Sequence, residues 1–192
     1  MRPSAVVFDA FGTLISPVRS LPYRRLAKLS HDASAFRREA LTANVPIEEL
    51  ARTHGAGEFA EELRAALAGE ASACTLMPGA GQVLARLASE GIPYAICSNL
   101  AHGYGPAVRR LVPGASAYVF SYEVRVAKPD AAIYAAACGA LGMGPSRLLF
   151  VGDTLDCDFD GPASYGMAAT LVSRHPGRDL AAVTLAMLGL QA

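Results

Sequence analysis

Five short apolar runs punctuate this chain, at residues 5–8, 94–97, 117–121, 148–151 and 168–172, and each stops at a turn or a polar residue. Runs of this length without polar alternation fit strands buried on both faces. Between them, residues 81–89, 106–112, 131–141 and 179–188 repeat apolar side chains at three- and four-residue steps, the period of a helix. Strands alternating with helices predict a parallel sheet covered by helices on both faces. Ligands of such sheets bind where the strands end at their carboxyl side, so the polar residues that close each run are the candidates for chemistry.

One stretch breaks the alternation. From about residue 17 to residue 76 there is no convincing strand, only helical patterns at 21–29, 33–41, 47–54 and 58–67. Pro46-Ile47-Glu48-Glu49 reads as a helix start, with proline early and acids in the first turn. Pro78-Gly79 punctuates the return to the main pattern. The expected organisation is therefore a core made of residues 1–16 and 77–192, with a helical insert at 17–76 of the kind that often lids a site.

Composition narrows the function classes. Of 192 residues, 52% are hydrophobic and 18% charged, which favours a globular chain over a disordered one. A formal net charge of zero gives no reason to expect a nucleic-acid or acidic-membrane partner. No apolar run has the length of a membrane helix, and the run before Asp9 is too short for a secretory signal, so a cytoplasmic protein is expected. Cys74, Cys97, Cys138 and Cys157 are scattered and fit small buried side chains better than a zinc or redox motif. Of the 17 basic residues only Lys28 and Lys128 are lysine. In so arginine-biased a chain the use of lysine can be a chemical choice, since arginine cannot substitute for a compact ammonium.

Four strand ends carry candidate chemistry. The first, Val6-Val7-Phe8-Asp9-Ala10-Phe11-Gly12-Thr13, runs a buried strand into an aspartate and then a Gly-Thr turn. A carboxylate there is ionised at neutral pH and attacks phosphorus or carbon without a base. Gly12 lets the backbone turn closely around a ligand, and the Thr13 hydroxyl can hold an anionic oxygen. The same aspartate equally fits a residue that only caps the next turn. The second end, Cys97-Ser98-Asn99, offers a hydroxyl and an amide to an anion, and both types are also common in loops. The third places Lys128 before Pro129 and a helical pattern, where an ammonium could offset charge on a nucleophile or, alternatively, face solvent. The fourth, Gly152-Asp153-Thr154-Leu155-Asp156-Cys157-Asp158, crowds three carboxylates at one strand end. Crowding of that kind costs free energy unless protons or a hard cation such as Mg²⁺ compensate it.

Nucleophile, hydroxyl, ammonium and acidic cluster in this order resemble the haloacid dehalogenase superfamily, and the resemblance covers nearly the whole chain. Met77-Pro78-Gly79, Ser121-Tyr122-Glu123-Val124 and the segment from Gly161 to Gly166 are similar as well. The resemblance implies an α/β fold with a Rossmann-like parallel sheet flanked by helices and a small all-helical cap after the first strand. It implies Asp9 as covalent nucleophile, with Lys128 orienting it. Thr13, Ser98 and Asn99 would bind the substrate's anionic oxygens. Asp9, the Phe11 carbonyl and Asp153 would hold Mg²⁺, supported by Asp158, with Asp156 a weaker candidate. The partner would be a small anionic substrate such as a phosphate ester.

The chain departs from that family at one position. Its phosphatases resemble one another in an aspartate two residues beyond the nucleophile, where this sequence has Phe11. An aromatic residue there is similar to the dehalogenase branch, whose leaving halide needs no proton. That branch, however, is metal-free and lacks an acidic cluster. Asp153, Asp156 and Asp158 weigh towards Mg²⁺-dependent phosphoryl transfer through an aspartyl-phosphate, preferring esters with good leaving groups. The alternatives are 2-haloacid dehalogenation through an aspartyl ester and a non-catalytic member that binds a ligand or partner.

Other patterns have plainer readings. The glycines of Gly55-Ala56-Gly57-Glu58-Phe59-Ala60 follow a helical pattern, not the strand a dinucleotide site needs. His31, His54, His102 and His175 fit no ligand spacing, and His102 is the one placed near a candidate strand end. Lys28, the one lysine of the insert, sits on what reads as an ordinary helix face, and the insert's arginines, Arg24, Arg25, Arg37 and Arg38 among them, read as a solvated face or a selector of anionic substrates.

Overall fold

A computed structural model describes residues 2–172 and 180–190. Five parallel strands, β1 (Ala5–Phe8), β2 (Tyr94–Ser98), β3 (Ala117–Phe120), β4 (Leu148–Gly152) and β5 (Ala168–Leu171), form one sheet in the order β3-β2-β1-β4-β5. The chain steps outward from β1 to β3, then returns to the other side of β1, which makes the crevice beside β1 the switch point of the sheet.

Alternating side chains of each strand serve two cores. Val6, Phe8, Leu149 and Val151 pack on one face with helices α5 (Ala80–Ser89), α6 (Gly105–Leu111) and α10 (Leu180–Met187). Ala5, Val7, Leu148 and Phe150 pack on the other with α8 (Ala131–Leu141). Period-two geometry sends successive side chains to opposite faces, so strands buried on both faces need the continuous apolar runs seen in the sequence.

The insert holds α1 (Leu21–Leu29), α2 (Ala33–Thr42), α3 (Ile47–Thr53) and α4 (Ala60–Ser72), without a strand. Asp32 caps α2 by accepting from the Ser34 and Ala35 N–H groups, and α3 opens after Pro46 with Glu48 and Glu49 in its first turn. Leu26, Phe36, Leu50 and Leu63 bury one side of the insert in a cluster continuous with the first core. The two chain crossings into the insert pair with each other. Ile15 bridges Leu76, the Ser16 N–H donates to Thr75 O at 2.8 Å, and the Met77 N–H donates to Leu14 O at 2.8 Å.

Most element ends fall within a residue or two of the sequence expectation, and a few differences bear on the site. Helix α4 runs beyond residue 67 because Glu70 in its last turn accepts from the Ser20 and Leu21 N–H groups and from the Tyr104 hydroxyl. β3 ends one residue early. Ser121, expected as its last residue, starts the short helix α7 (Ser121–Val124) and exchanges hydrogen bonds with the Leu100 backbone at 3.0 and 3.2 Å. A π-helical turn over Leu155–Asp160 and the short α9 (Gly161–Ser164) follow β4, where the sequence pattern indicates no helix. Asp179, expected to open the last helix, and His175 lie outside the described residues.

Candidate active site

Register fixes the site before any side chain is considered. Phe8 is level with Ile96 of β2 and with Val151 of β4, and the Asp9 N–H donates to Val151 O at 2.9 Å. Asp9 therefore emerges between the ends of β2 and β4, at the switch point.

Lys128 organises the centre. The residue is 5% exposed, and its ammonium donates to Asp9 Oδ1 at 2.8 Å, Asp158 Oδ1 at 2.6 Å and Cys97 O at 3.1 Å. Ser98 Oγ donates to the same Asp9 oxygen at 2.9 Å. Both described hydrogen bonds to Asp9 thus fall on Oδ1. Asp158 Oδ2 accepts from the Asp153 and Thr154 N–H groups, each at 3.0 Å, which clamps the π-helical turn under β4. Asn99 spends its amide on the Lys128 backbone, donating to Lys128 O at 2.9 Å and accepting from the Lys128 N–H at 2.8 Å. That two-point tie holds the Lys128 loop against the end of β2.

Asp9, Asp153 and Asp158 each offer an oxygen within 4.8 Å of the others. Against one ammonium, three ionised carboxylates leave a formal charge of −2, which a divalent cation neutralises. Hard oxygen donors of this kind suit Mg²⁺. Glycines permit the crowding. Gly12 sits at φ 87°, and a Cβ there would collide with the Asp153 carboxylate, while one at Gly152 would collide with Asp158. Asp156 is exposed and stands outside the cluster.

Burial sets the electrostatics. It raises the Asp9 carboxyl from 3.8 to about 6, the Lys128 charge working against the rise and the Asp158 charge with it. Burial alone would push the Lys128 ammonium down, but the Asp9 and Asp158 carboxylates outweigh it and raise its pKa. The lysine is therefore a fixed cation at neutral pH. Thr13 Oγ1 is buried without a hydrogen-bond partner, a cost the fold carries at the loop that follows Asp9.

Beside this centre lies a cavity of about 410 Å³ between insert and core. Phe11 and Asn99 line it from the core. Phe11, half-buried, meets the Tyr104 ring edge-on at 5.6 Å, and Tyr104 in turn faces Tyr23 at 5.9 Å. His102 turns instead to Tyr122, with ring centroids 5.5 Å apart. Tyr104 was not legible as a site residue, although it shares a short turn with His102, six residues beyond Ser98. Lys28 is exposed on the cavity side of α1.

Residues 3–166 match the family described as haloacid dehalogenase-like hydrolases. The chain belongs to that family. It is thus a hydrolase whose relatives include phosphatases and dehalogenases. No curated protein matches the sequence. Among solved structures, a HAD phosphatase from Thermococcus onnurineus is 18% identical, with 100% of both chains covered and a TM-score of 0.63. CbbY from Rhodobacter sphaeroides, in complex with phosphate, is 20% identical over 98% of this chain and 100% of the other, with a TM-score of 0.66. The L-2-haloacid dehalogenase from Xanthobacter autotrophicus is 24% identical over 96% of this chain and 83% of the other, with a TM-score of 0.62. At these identities the likeness is one of fold. Among the described residues no helix is long and apolar enough to cross a membrane.

Proposed function

We propose that this hydrolase is a Mg²⁺-dependent phosphatase that transfers a phosphoryl group to Asp9 and then to water, with residues 17–76 acting as its cap. The observation that carries the reading is the cluster of Asp9, Asp153 and Asp158 around Lys128. A site working without metal would have to keep these three carboxylates together on one ammonium. Phosphoryl transfer depends on positioning and charge compensation more than on covalent chemistry supplied by the protein, which is what this centre offers.

Each residue then has a task. Asp9 Oδ1 is pinned by Ser98 and Lys128, which directs the other oxygen, Oδ2, to attack phosphorus as the ester P–O bond breaks. Lys128 stays charged and offsets the negative charge gathered on nucleophile and phosphoryl oxygens. The orphan Thr13 hydroxyl is suited to donate to one of those oxygens. When bound by Asp9, the Phe11 carbonyl and Asp153, with Asp158 in support, Mg²⁺ supplies a Lewis acid for the phosphoryl oxygens. Asn99 acts through Lys128, whose loop it anchors. Water attacking the aspartyl-phosphate regenerates Asp9 and releases phosphate.

Phe11 cannot protonate a leaving alkoxide. The enzyme should therefore favour acyl or aryl phosphates, whose leaving groups need no proton. Rates across aryl phosphates of graded leaving-group pKa, with and without Mg²⁺, test this, and 2-haloacids run alongside. A steep dependence that requires Mg²⁺ supports the reading. A flat dependence with chemistry rate-limiting removes the preference, and metal-independent release of halide replaces the phosphatase by a dehalogenase.

A further inference from the structure

The insert distributes its cations unevenly. Arg25 pairs with Glu62 and Arg64 with Glu61, and in the core Arg86 pairs with Glu90 and Arg109 with Glu123. No described ion pair involves Arg24, Lys28 or Arg37, and all three line the cavity between insert and core. No Asp or Glu lines it. The lining side chains thus carry a formal charge of +3, and the Glu70 carboxylate behind them is engaged by Ser20, Leu21 and Tyr104, not by these cations. Arg24 and Lys28 lie four residues apart on α1, and like charges at that spacing destabilise a helix. Lys28, in the last turn, complements the helix dipole, and an anion placed near both side chains relieves the repulsion between them.

Apart from Ser20 and Asn99, the rest of the wall is aliphatic or aromatic. Tyr23 of the insert meets Tyr104 of the core, which meets Phe11, and Phe36 of the insert lines the same cavity. At about 410 Å³, the cavity is of the size that holds a small organic ligand. It begins at Phe11 and Asn99, beside the loop of Asp9 and next to Ser98, and its cations stand on α1 and α2 of the insert. A molecule that fills it meets the cations of the insert at one end, and one long enough to pass Phe11 towards Asp9 would span an aromatic stretch between two charged regions.

We propose that the substrate carries a second anionic group, a carboxylate, on an apolar body of aryl size, and that Arg24, Lys28 and Arg37 bind that carboxylate while the reacting group sits at Asp9. The proposal deepens the phosphatase reading, on which its kinetic arm rests. Guanidinium forks and an ammonium match a planar carboxylate, and the aromatic wall gives the apolar body a surface to pack on. Sugar phosphates, whose bodies present hydroxyls, leave that wall unmatched.

Two experiments separate this proposal from the reading beneath it. The first compares kcat/KM for para-(carboxyethyl)phenyl phosphate and para-(hydroxypropyl)phenyl phosphate, whose phenol leaving groups are alike because the polar ends are insulated from the ring. The wild type should favour the carboxylate ester by about tenfold or more, through KM, and added salt should erode that advantage. In an Arg24→Gln/Lys28→Gln/Arg37→Gln variant the preference should fall to about threefold or less. The three positions are exposed, and circular dichroism checks that the variant is folded. The second experiment titrates phenylpropanoate into both proteins by calorimetry and needs no turnover. One saturable site in the wild type, lost in the variant, supports the proposal even if no phosphate ester is hydrolysed, a result that would sink the phosphatase reading alone. No binding of phenylpropanoate, or a carboxylate preference that the triple substitution leaves intact, overturns the proposal.

Discussion

Replacing Lys128 by methionine removes the one cation that touches two carboxylates of the centre. The side chain is buried and keeps roughly its length, so the substitution leaves little cavity and isolates the charge. Three hydrogen bonds disappear, to Asp9, Asp158 and the Cys97 carbonyl. Asp158 keeps its two backbone N–H donors and Asp9 keeps Ser98, so the loss stays near that of one broken buried pair. Removing one partner of such a pair costs about 3–5 kcal/mol. For a chain of this size each kcal/mol shifts Tm by roughly 2–4 °C, so the variant should melt about 6–20 °C below the wild type near pH 8 in EDTA. Because Lys128 has a raised pKa, its stabilising contribution is fully present below its unfolded value of 10.5 and is lost only as pH rises through the folded one. The penalty should shrink towards about pH 5, where the Asp9 carboxyl takes up a proton. Mg²⁺ should raise the variant's Tm more than the wild type's, since it replaces the missing positive charge. Thermal unfolding followed by circular dichroism reads all of this. A melting point within about 2 °C of the wild type at pH 8 would refute the argument that Lys128 compensates buried charge.

Three further outcomes are expected. Phe11→Asp supplies the absent proton donor and should raise turnover of alkyl phosphates by about 10²–10⁴, with a much smaller effect on para-nitrophenyl phosphate, and equal effects on both would show that the position does not reach the leaving group. In the metal-free protein the Asp9 carboxyl should titrate near 6 by carbon-detected NMR, and the midpoint should drop on adding Mg²⁺; a raised carboxyl pKa also means that this group's contribution to stability falls as pH climbs from about 4 to 6. Gly12→Ala, which drives a methyl into the Asp153 carboxylate at φ 87°, should abolish Mg²⁺-dependent turnover, and retention of wild-type kcat would show that this turn relaxes freely.

Much of this site was readable because chemistry here sits at strand ends, and strand ends are where apolar runs stop. Asp9, Ser98 and Asp153 fall at such stops, with Asp158 in the turn after β4, and parallel pairing brings Asp9 and Ser98 within hydrogen-bond distance, while Lys128 reaches Asp9 from a loop beyond α7. What the pattern could not give was the partner of each polar atom. Asn99 reads as a substrate amide, yet both ends of its amide hold the Lys128 backbone, a contact across 29 residues that no local rule encodes. Glu70 lies past the apparent end of its helix, and only the folded chain brings it to the Ser20 and Leu21 amides and to Tyr104. Tyr104 is an ordinary core aromatic in sequence and becomes a wall of the cavity only because α1 lays Tyr23 against it. The π-helical turn escaped for a related reason, since Asp158 stabilises it by accepting the N–H groups of Asp153 and Thr154.

Hydrolysis of para-nitrophenyl phosphate by the wild type in Mg²⁺, by the wild type in EDTA and by Asp9→Asn tests the central claim most directly. Turnover that needs both the metal and the Asp9 carboxylate is the predicted result. Turnover that survives in Asp9→Asn or in EDTA would contradict it, as would a folded wild type that leaves every activated phosphate ester intact.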